Sequence, residues 1–279
     1  MKLEPITDNY NRKLRDLRIS VTDRCNYRCP YCMPLEVYGE KYEFLKRNEI
    51  LSFEEIERLV RLFVKLGVKK VRITGGEPLV RKDLESLISR INSIDSELDI
   101  ALTTNGYLLA EKVQNLKDAG LSRLTVSLDS LDDVTYKKMN GKGFGPDKAL
   151  NGIKRAEQIG FSPVKINVVV QKGYNDTNFV DVANYFRGSK NIVRFIEFMD
   201  VGNRNGWALN KVVPAKEIFE VIDKNFPLEP VSPTYEGEVA KRYRYKDGAG
   251  EIGIISSVSQ PFCGDCTRAR LSTDGKLIT

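Results

Sequence analysis

The chain contains no histidine. That removes the commonest general base near neutral pH, the commonest nitrogen ligand for metals, and every Ser-His or Cys-His nucleophile pair. A bound metal must be held by sulfur or by oxygen. Cysteine is scarce as well: five residues in 279, an odd number, grouped as three plus two. This is too few, and wrongly grouped, for a disulfide scaffold; free thiols fit a reducing compartment. No apolar stretch approaches the length of a membrane span. The N-terminus, Met1-Lys2-Leu3-Glu4-Pro5, puts charge and proline where a signal peptide needs an apolar core. A cytoplasmic protein without membrane association is expected. Long Lys/Arg tracts are also missing, and the net charge of +6 is a mild excess. It suits an anionic small molecule, with no nucleic acid expected.

What is present is an ordinary globular composition, 41% hydrophobic and 29% charged, and a repeating element order. Leu17–Thr22, Val68–Thr74, Ile100–Thr104, Leu124–Leu128, Val164–Val170 and Ile192–Met199 read as strands. Between them lie helical patterns. One opens on a Ser52/Glu55 capping box, and others run over Leu109–Ala119, Asp147–Ile159 and Asp176–Arg187. Gly67, Gly120 and Gly160 each follow a helix and precede an apolar residue that enters or leads into a strand, the junction of a βαβ unit. Six such strands predict an α/β fold, an incomplete (β/α)6 TIM-like barrel whose site lies at the C-terminal strand ends. The competing architecture is an open doubly wound sheet. The division expected is residues 1–201 for the barrel and 202–279 for an extension covering its mouth. The extension carries a helix near Ala215–Ile222 and short strands at Glu238–Tyr245 and Ile252–Ser256.

Chemistry is densest just after the first strand. Cys25, Cys29 and Cys32 form a C-x3-C-x2-C run, with Tyr31 between the last two. Three thiolates on one loop can hold three corners of a 4Fe–4S cubane and leave the fourth iron open, whereas electron-transfer clusters usually take four cysteines. Cys29 and Cys32 alone are a zinc-type pair, and a zinc site drawing on Cys263 and Cys266 is arithmetically available. Either arrangement orphans Cys25.

Arg18, Arg72 and Lys165 sit inside apolar strand runs. In a barrel wrapped by helices such charges must face the lumen, where unpaired cations invite a polyanion. A triphosphate is the natural candidate. Gly75-Gly76 follows the second strand and lets backbone approach closely. Thr103, Thr104, Asn105, Ser127, Asp129 and Met199 occupy the other strand ends. Arg268 and Arg270 follow Cys266 and alternate around Ala269, so in an extended segment both point the same way.

Together, the cysteine run with Tyr31 and the Gly75-Gly76-Glu77-Pro78 turn resemble the radical S-adenosylmethionine superfamily. Five runs are similar to its branch in molybdenum cofactor biosynthesis. These are Arg18–Cys25 with Arg72–Pro78, Thr103–Gly106 with Val126–Asp129, and Phe262–Leu271. That resemblance covers essentially the whole chain. It implies a first 4Fe–4S cluster on Cys25, Cys29 and Cys32, its open iron chelated by S-adenosylmethionine, and a 5′-deoxyadenosyl radical that acts on the ribose of GTP. The implied product is 3′,8-cyclo-7,8-dihydro-GTP. By motif position Tyr31, Gly76, Ser127 and Met199 would contact S-adenosylmethionine. Arg18, Arg72, Thr103, Lys165, Arg268, Ala269 and Arg270 would contact GTP. Cys263 and Cys266 would belong to a second 4Fe–4S cluster. The branch's spacing puts that cluster's third cysteine just beyond Thr279, so the 279-residue chain is expected to hold it poorly or not at all. The resemblance further implies a flavodoxin- or ferredoxin-type electron donor, product hand-off to cyclic pyranopterin monophosphate synthase, and compatibility with a homodimer. A peptide substrate, as for a maturase with an auxiliary cluster, is the alternative within the superfamily. A zinc-stapled basic binding module is the alternative outside it.

Overall fold

A computed structural model describes residues 7–201, 204–235 and 237–278. The N-terminal stretch Met1–Pro5, the boundary at Gly202 and the chain end at Thr279 lie outside the described residues.

Six strands form the body: β1 (Asp16–Ser20), β2 (Lys70–Thr74), β3 (Asp99–Thr104), β4 (Arg123–Ser127), β5 (Lys165–Val170) and β6 (Ile192–Glu197). They pair in parallel, each with its successor. Sequential order without a switch point is the (β/α) arrangement, not the doubly wound one. The helices between them are α1 (Phe53–Lys65), α2 (Leu84–Asn92), α3 (Leu109–Asp118), α4 (Asp133–Asn140), α5 (Asp147–Gln158) and α6 (Phe179–Phe186).

The strand pattern explains the layers. In β1, Leu17 and Ile19 are fully buried under the helices, while Arg18 and Ser20 alternate to the inner face. In β2, Val71 and Ile73 are buried, and Lys70, Arg72 and Thr74 face in. In β5, Ile166, Val168 and Val170 face the helices, and Lys165, Asn167 and Val169 line the lumen. Burying each such aliphatic side chain contributes about 1.5–3 kcal/mol. That fixes which parity faces out, and with it which residues must face in.

The segment after β6 extends the sheet at both of its edges. It supplies α7 (Ala215–Asn225), β7 (Leu228–Val231), β8 (Lys241–Tyr245), β9 (Glu251–Ile255), β10 (Arg268–Leu271) and β11 (Leu277–Ile278). β9 joins the free edge of β6 and β10 the free edge of β1, both in parallel. β8 and β7 extend beyond β9, and β11 beyond β10, all antiparallel. Among the described residues the sheet has eleven strands and its two ends stay unpaired with each other, and the loop of residues 256–267 runs between β9 and β10.

Sequence patterning misses α4 and β7. Among its eight residues α4 buries only Tyr136, Met139 and Asn140, too few for a clear helical stripe. β7 contains Pro230, which a strand tolerates at a sheet edge, where β7 lies. The helix near Asp176 begins only at Phe179, because Asn175 turns the preceding chain by donating to the Val169 and Asp129 carbonyls, both at 2.8 Å. No helix among the described residues is long and apolar enough to cross a membrane.

Candidate active site

The cysteine loop leaves β1 and is clamped from three sides. Pairing between β1 and β2 continues past their ends, with the Gly76 N–H donating to the Thr22 carbonyl (2.7 Å) and Glu77 N–H to that of Arg24 (2.8 Å). Here the glycines are required by the chain itself. A Cβ on Gly75 would lie 2.5 Å from the Thr22 oxygen, and one on Gly76 2.3 Å from the Arg24 oxygen. From α4, the Asn140 carbonyl accepts from the Arg28 N–H at 2.8 Å, and a Cβ on Gly141 would meet the Arg28 oxygen at 2.1 Å. Arg28 in turn donates to the carbonyls of Cys25 (2.8 Å), Tyr27 (2.7 Å) and Tyr38 (2.6 Å). Beneath the loop, Tyr27 is buried in an aromatic cluster with Tyr107, Tyr136 and Phe144.

Two buried carboxylates tie the loop to the strand ends. Glu77 accepts from Leu79 N–H (3.0 Å), the Thr104 hydroxyl (2.7 Å) and Asn105 N–H (2.7 Å). Burial nonetheless pushes its pKa up to about 7. Asp129 accepts from the Tyr31 hydroxyl (2.8 Å) and Val169 N–H (2.9 Å), and burial raises it to about 6. Asn105 donates to Asn26 at 2.8 Å and stands 3.9 Å from the Cys25 sulfur.

Burial also pushes the Cys25 thiol up to about 12 and the Cys29 thiol well above its ordinary value. Bare thiolates are therefore disfavoured here, and iron is the charge that would hold them deprotonated. Among the described residues, no three His, Cys, Asp or Glu side chains converge on one metal ion. The donors of a cubane bind separate irons and need no such convergence; a zinc site does.

Beside the loop, a cavity of about 570 Å³ runs the length of the barrel. Its lining extends from Asp16, Lys70 and Lys165 at strand starts to Thr74, Tyr31, Cys32 and Met199 at the cysteine end. Arg18, Arg72, Thr103, Lys165, Arg268 and Arg270 all line it, as does Cys266. The register explains the cluster, since Arg270, Arg18 and Arg72 lie side by side across β10, β1 and β2. Arg72 donates to the Thr103 and Thr125 hydroxyls (3.0 and 3.3 Å). The Arg18 Nε is buried with no hydrogen-bond partner among the described residues. Burial, then the neighbouring Arg268 and Arg72, bring Arg18 down to about 9. Burial and Arg194 bring Lys165 down to about 8. Such a lumen is short of negative charge.

A second cavity of about 510 Å³ adjoins the first, sharing Arg18, Cys32, Thr74 and Arg270, and is bordered by Gly75, Gly76 and Met33. Ser127 ends β4 half-buried and lines neither cavity. Ala269 turns its side chain to the apolar core, so only its backbone stands beside the two arginines. Cys263 is exposed and outside the cavity lining.

Among the described residues three cations of the cavity lining escape the sequence reading: Arg242 of β8, paired with Glu251 at 2.6 Å, and two on the barrel strands. Arg194 in β6 donates to Asn167 (3.0 Å) and Thr125 (3.4 Å), and burial and Arg72 lower it to about 9. Lys70 in β2 stands 3.6 Å from Asp99. The signal that marks Arg18, a charge inside an apolar strand run, marks Arg194 equally; Lys70 sits at a strand start, where solvent is the expected surround.

A parallel (β/α) barrel with a three-thiol loop after its first strand, beside a glycine turn and a deep lumen, defines a class, and comparison with known proteins agrees. Residues 19–186 match the family model described as the radical SAM superfamily, and the chain belongs to that family. Residues 191–279 match the model described as Molybdenum Cofactor Synthesis C. Within the superfamily, its relatives are proteins named GTP 3′,8-cyclase. That of Staphylococcus saprophyticus is 53% identical over 98% of this chain and 80% of its own length. That of Acidothermus cellulolyticus is 51% identical over 99% of this chain and 76% of its own length. Among solved structures, Streptococcus suis SuiB bound to S-adenosylmethionine superposes with a TM-score of 0.70 at 16% identity, over 96% of this chain. The chain spans 61% of that structure's length, and the likeness carries the fold alone. The cofactors follow from the family: a 4Fe–4S cluster and S-adenosylmethionine.

Proposed function

We infer that the chain is a radical enzyme that cyclises GTP to 3′,8-cyclo-7,8-dihydro-GTP in molybdenum cofactor biosynthesis. The observation that carries this reading is the lumen: a deep cavity that begins at the cysteine loop and continues into a cluster of buried cations. A nucleoside triphosphate has that polarity, with the sugar at the reacting end and the anion in the depth. The names of the relatives and the match over residues 191–279 support it.

In this reading Cys25, Cys29 and Cys32 hold the cluster. Tyr31, Gly76, Ser127 and Met199 border S-adenosylmethionine, and Glu77 and Asp129 keep Tyr31 and the glycine turn in place. The bound cluster supplies one-electron reductive cleavage of S-adenosylmethionine. Arg18, Arg72, Arg194 and Lys165, with Arg268 and Arg270 from β10, neutralise the triphosphate. Thr103 orients Arg72, and Cys266 lines the same cavity. Excluding water protects a reactive radical from quenching. A flavodoxin- or ferredoxin-type donor, hand-off to cyclic pyranopterin monophosphate synthase, a cytoplasmic setting and a homodimer belong to the same proposal.

The test is isotopic. With reductant, S-adenosylmethionine and GTP deuterated at ribose 3′, deuterium is expected in the released 5′-deoxyadenosine. Unlabelled 5′-deoxyadenosine formed during turnover would remove the assignment.

A further inference from the structure

Glu197 ends β6 on the parity that otherwise faces the helices, following Val193 and Phe195, and is fully buried. A carboxylate at an apolar position needs a complete set of donors. Its Oε1 accepts from Ala215 N–H (2.6 Å) and the Ser259 hydroxyl (2.5 Å). Its Oε2 accepts from Val258 N–H (2.6 Å) and Ser259 N–H (2.8 Å). One side chain thus joins the end of β6, the first residue of α7 and the loop between β9 and β10.

That loop carries Cys263 and Cys266 and delivers Arg268 and Arg270 to the cavity. At its far end the Thr267 carbonyl accepts from Arg15 and Asp16 N–H groups (3.0 and 3.1 Å). Between the two anchors, Pro261, Cys263 and Gly264 are exposed. The Arg12 guanidinium donates to the Cys263 carbonyl at 2.6 Å from an exposed turn. The buried fixed point on the β9 side is Glu197, two residues before Met199.

We propose that Glu197 is the positioning residue for the 256–267 loop, setting the second cysteine pair and the arginine strand against the substrate cavity. It borders the cavity, but both its carboxylate oxygens are taken up by α7 and the loop, so it acts through the loop. The substrate part of this inference rests on the reading of the cavity as a GTP site.

Glu197→Gln is the decisive variant. Glutamine keeps one acceptor oxygen: with its NH2 toward Val258 and Ser259 N–H two donors lose their acceptor, and with it toward Ala215 N–H that donor loses its own while the Ser259 hydroxyl turns to accept. Hydrogen exchange reads the loop directly, and equilibrium binding reads the two ligands. In E197Q, exchange is expected to rise over residues 256–271 while the strands from β1 to β5 stay as in the parent. GTP affinity should fall about tenfold, and S-adenosylmethionine affinity should stay within about twofold. Ser259→Ala, which removes one bond and leaves the carboxylate paired, should shift the same readouts less; it serves as the arm should E197Q fail to fold. Unchanged exchange over 256–271, a rise spread across the whole barrel, or a selective rise with unaltered GTP affinity would each overturn the proposal. Should the parent protein bind S-adenosylmethionine and not GTP, the substrate reading fails, and the exchange experiment still decides the role of Glu197 in holding the loop.

Discussion

The two cysteine loops are built differently. The loop carrying Cys25, Cys29 and Cys32 is walled by buried contacts along its length: the glycine turn, the end of α4, the aromatic cluster, and the carboxylates Glu77 and Asp129. The loop carrying Cys263 and Cys266 has its buried anchors at its ends, Glu197 on one side and β1 on the other, and between them exposed residues met by surface contacts from Arg12 and Lys241. A loop fixed along its length can present three sulfurs to a preset geometry. A loop fixed at its ends takes its position from the sheet edges it connects, and can follow what binds in the cavity between them.

Cysteine substitution is the largest test of this contrast. Replacing Cys25, Cys29 or Cys32 with Ser is expected to abolish cluster absorbance near about 400 nm and all cleavage of S-adenosylmethionine. Cys266→Ser should leave that absorbance and cleavage in place and lower GTP cyclisation only. Equal loss from both loops would erase the distinction.

Gly76→Ala comes next. Its Cβ would meet backbone, which cannot swing away, so a loss of about 3 kcal/mol in chemical denaturation is expected. Gly264, in the second loop, has open space at its Cβ position, and G264A should cost well under about 1 kcal/mol.

Arg194→Ala should weaken GTP binding by about 2 kcal/mol, roughly thirtyfold, and leave S-adenosylmethionine binding unchanged. Isothermal titration of both ligands separates the lumen from the cysteine end.

The smallest expected effect is on pH. Lys165 in the free lumen titrates near pH 8, and a bound triphosphate favours its charged form. Binding then takes up a proton above pH 8, so GTP affinity should fall as pH rises through that value. K165M should flatten this part of the profile. A parent profile that rises with pH would contradict a cationic role for Lys165.

Much of the site is legible in the sequence because it is local. The cysteine spacing, the glycine turn and the charges at Arg18, Arg72 and Lys165 lie within single loops or strands. Parity alone sends those charges inward once a helix-wrapped barrel is recognised. Arg194 obeys the same rule and was within reach of it. Glu197 was not, because a lone acidic residue at the end of an apolar strand looks like a solvated terminus until its four donors are seen together. The role of α4 in bracing Arg28 was hidden for a similar reason: its helical pattern is weak and its function is made by packing.

By itself, then, the sequence determines the chemistry of this protein. Spacing sets how many irons one loop can hold, and the two-residue period of a strand sets which charges reach the lumen. The tertiary structure decides how that chemistry is enclosed. Arg270 stands beside Arg18 only because β10 pairs with β1 across nearly the whole chain. Cys266 reaches the cavity only because β9 and β10 take opposite edges of one sheet. Strand pairing between distant segments depends on which edges are left free once the six-stranded core has formed. No local pattern in the chain encodes that choice.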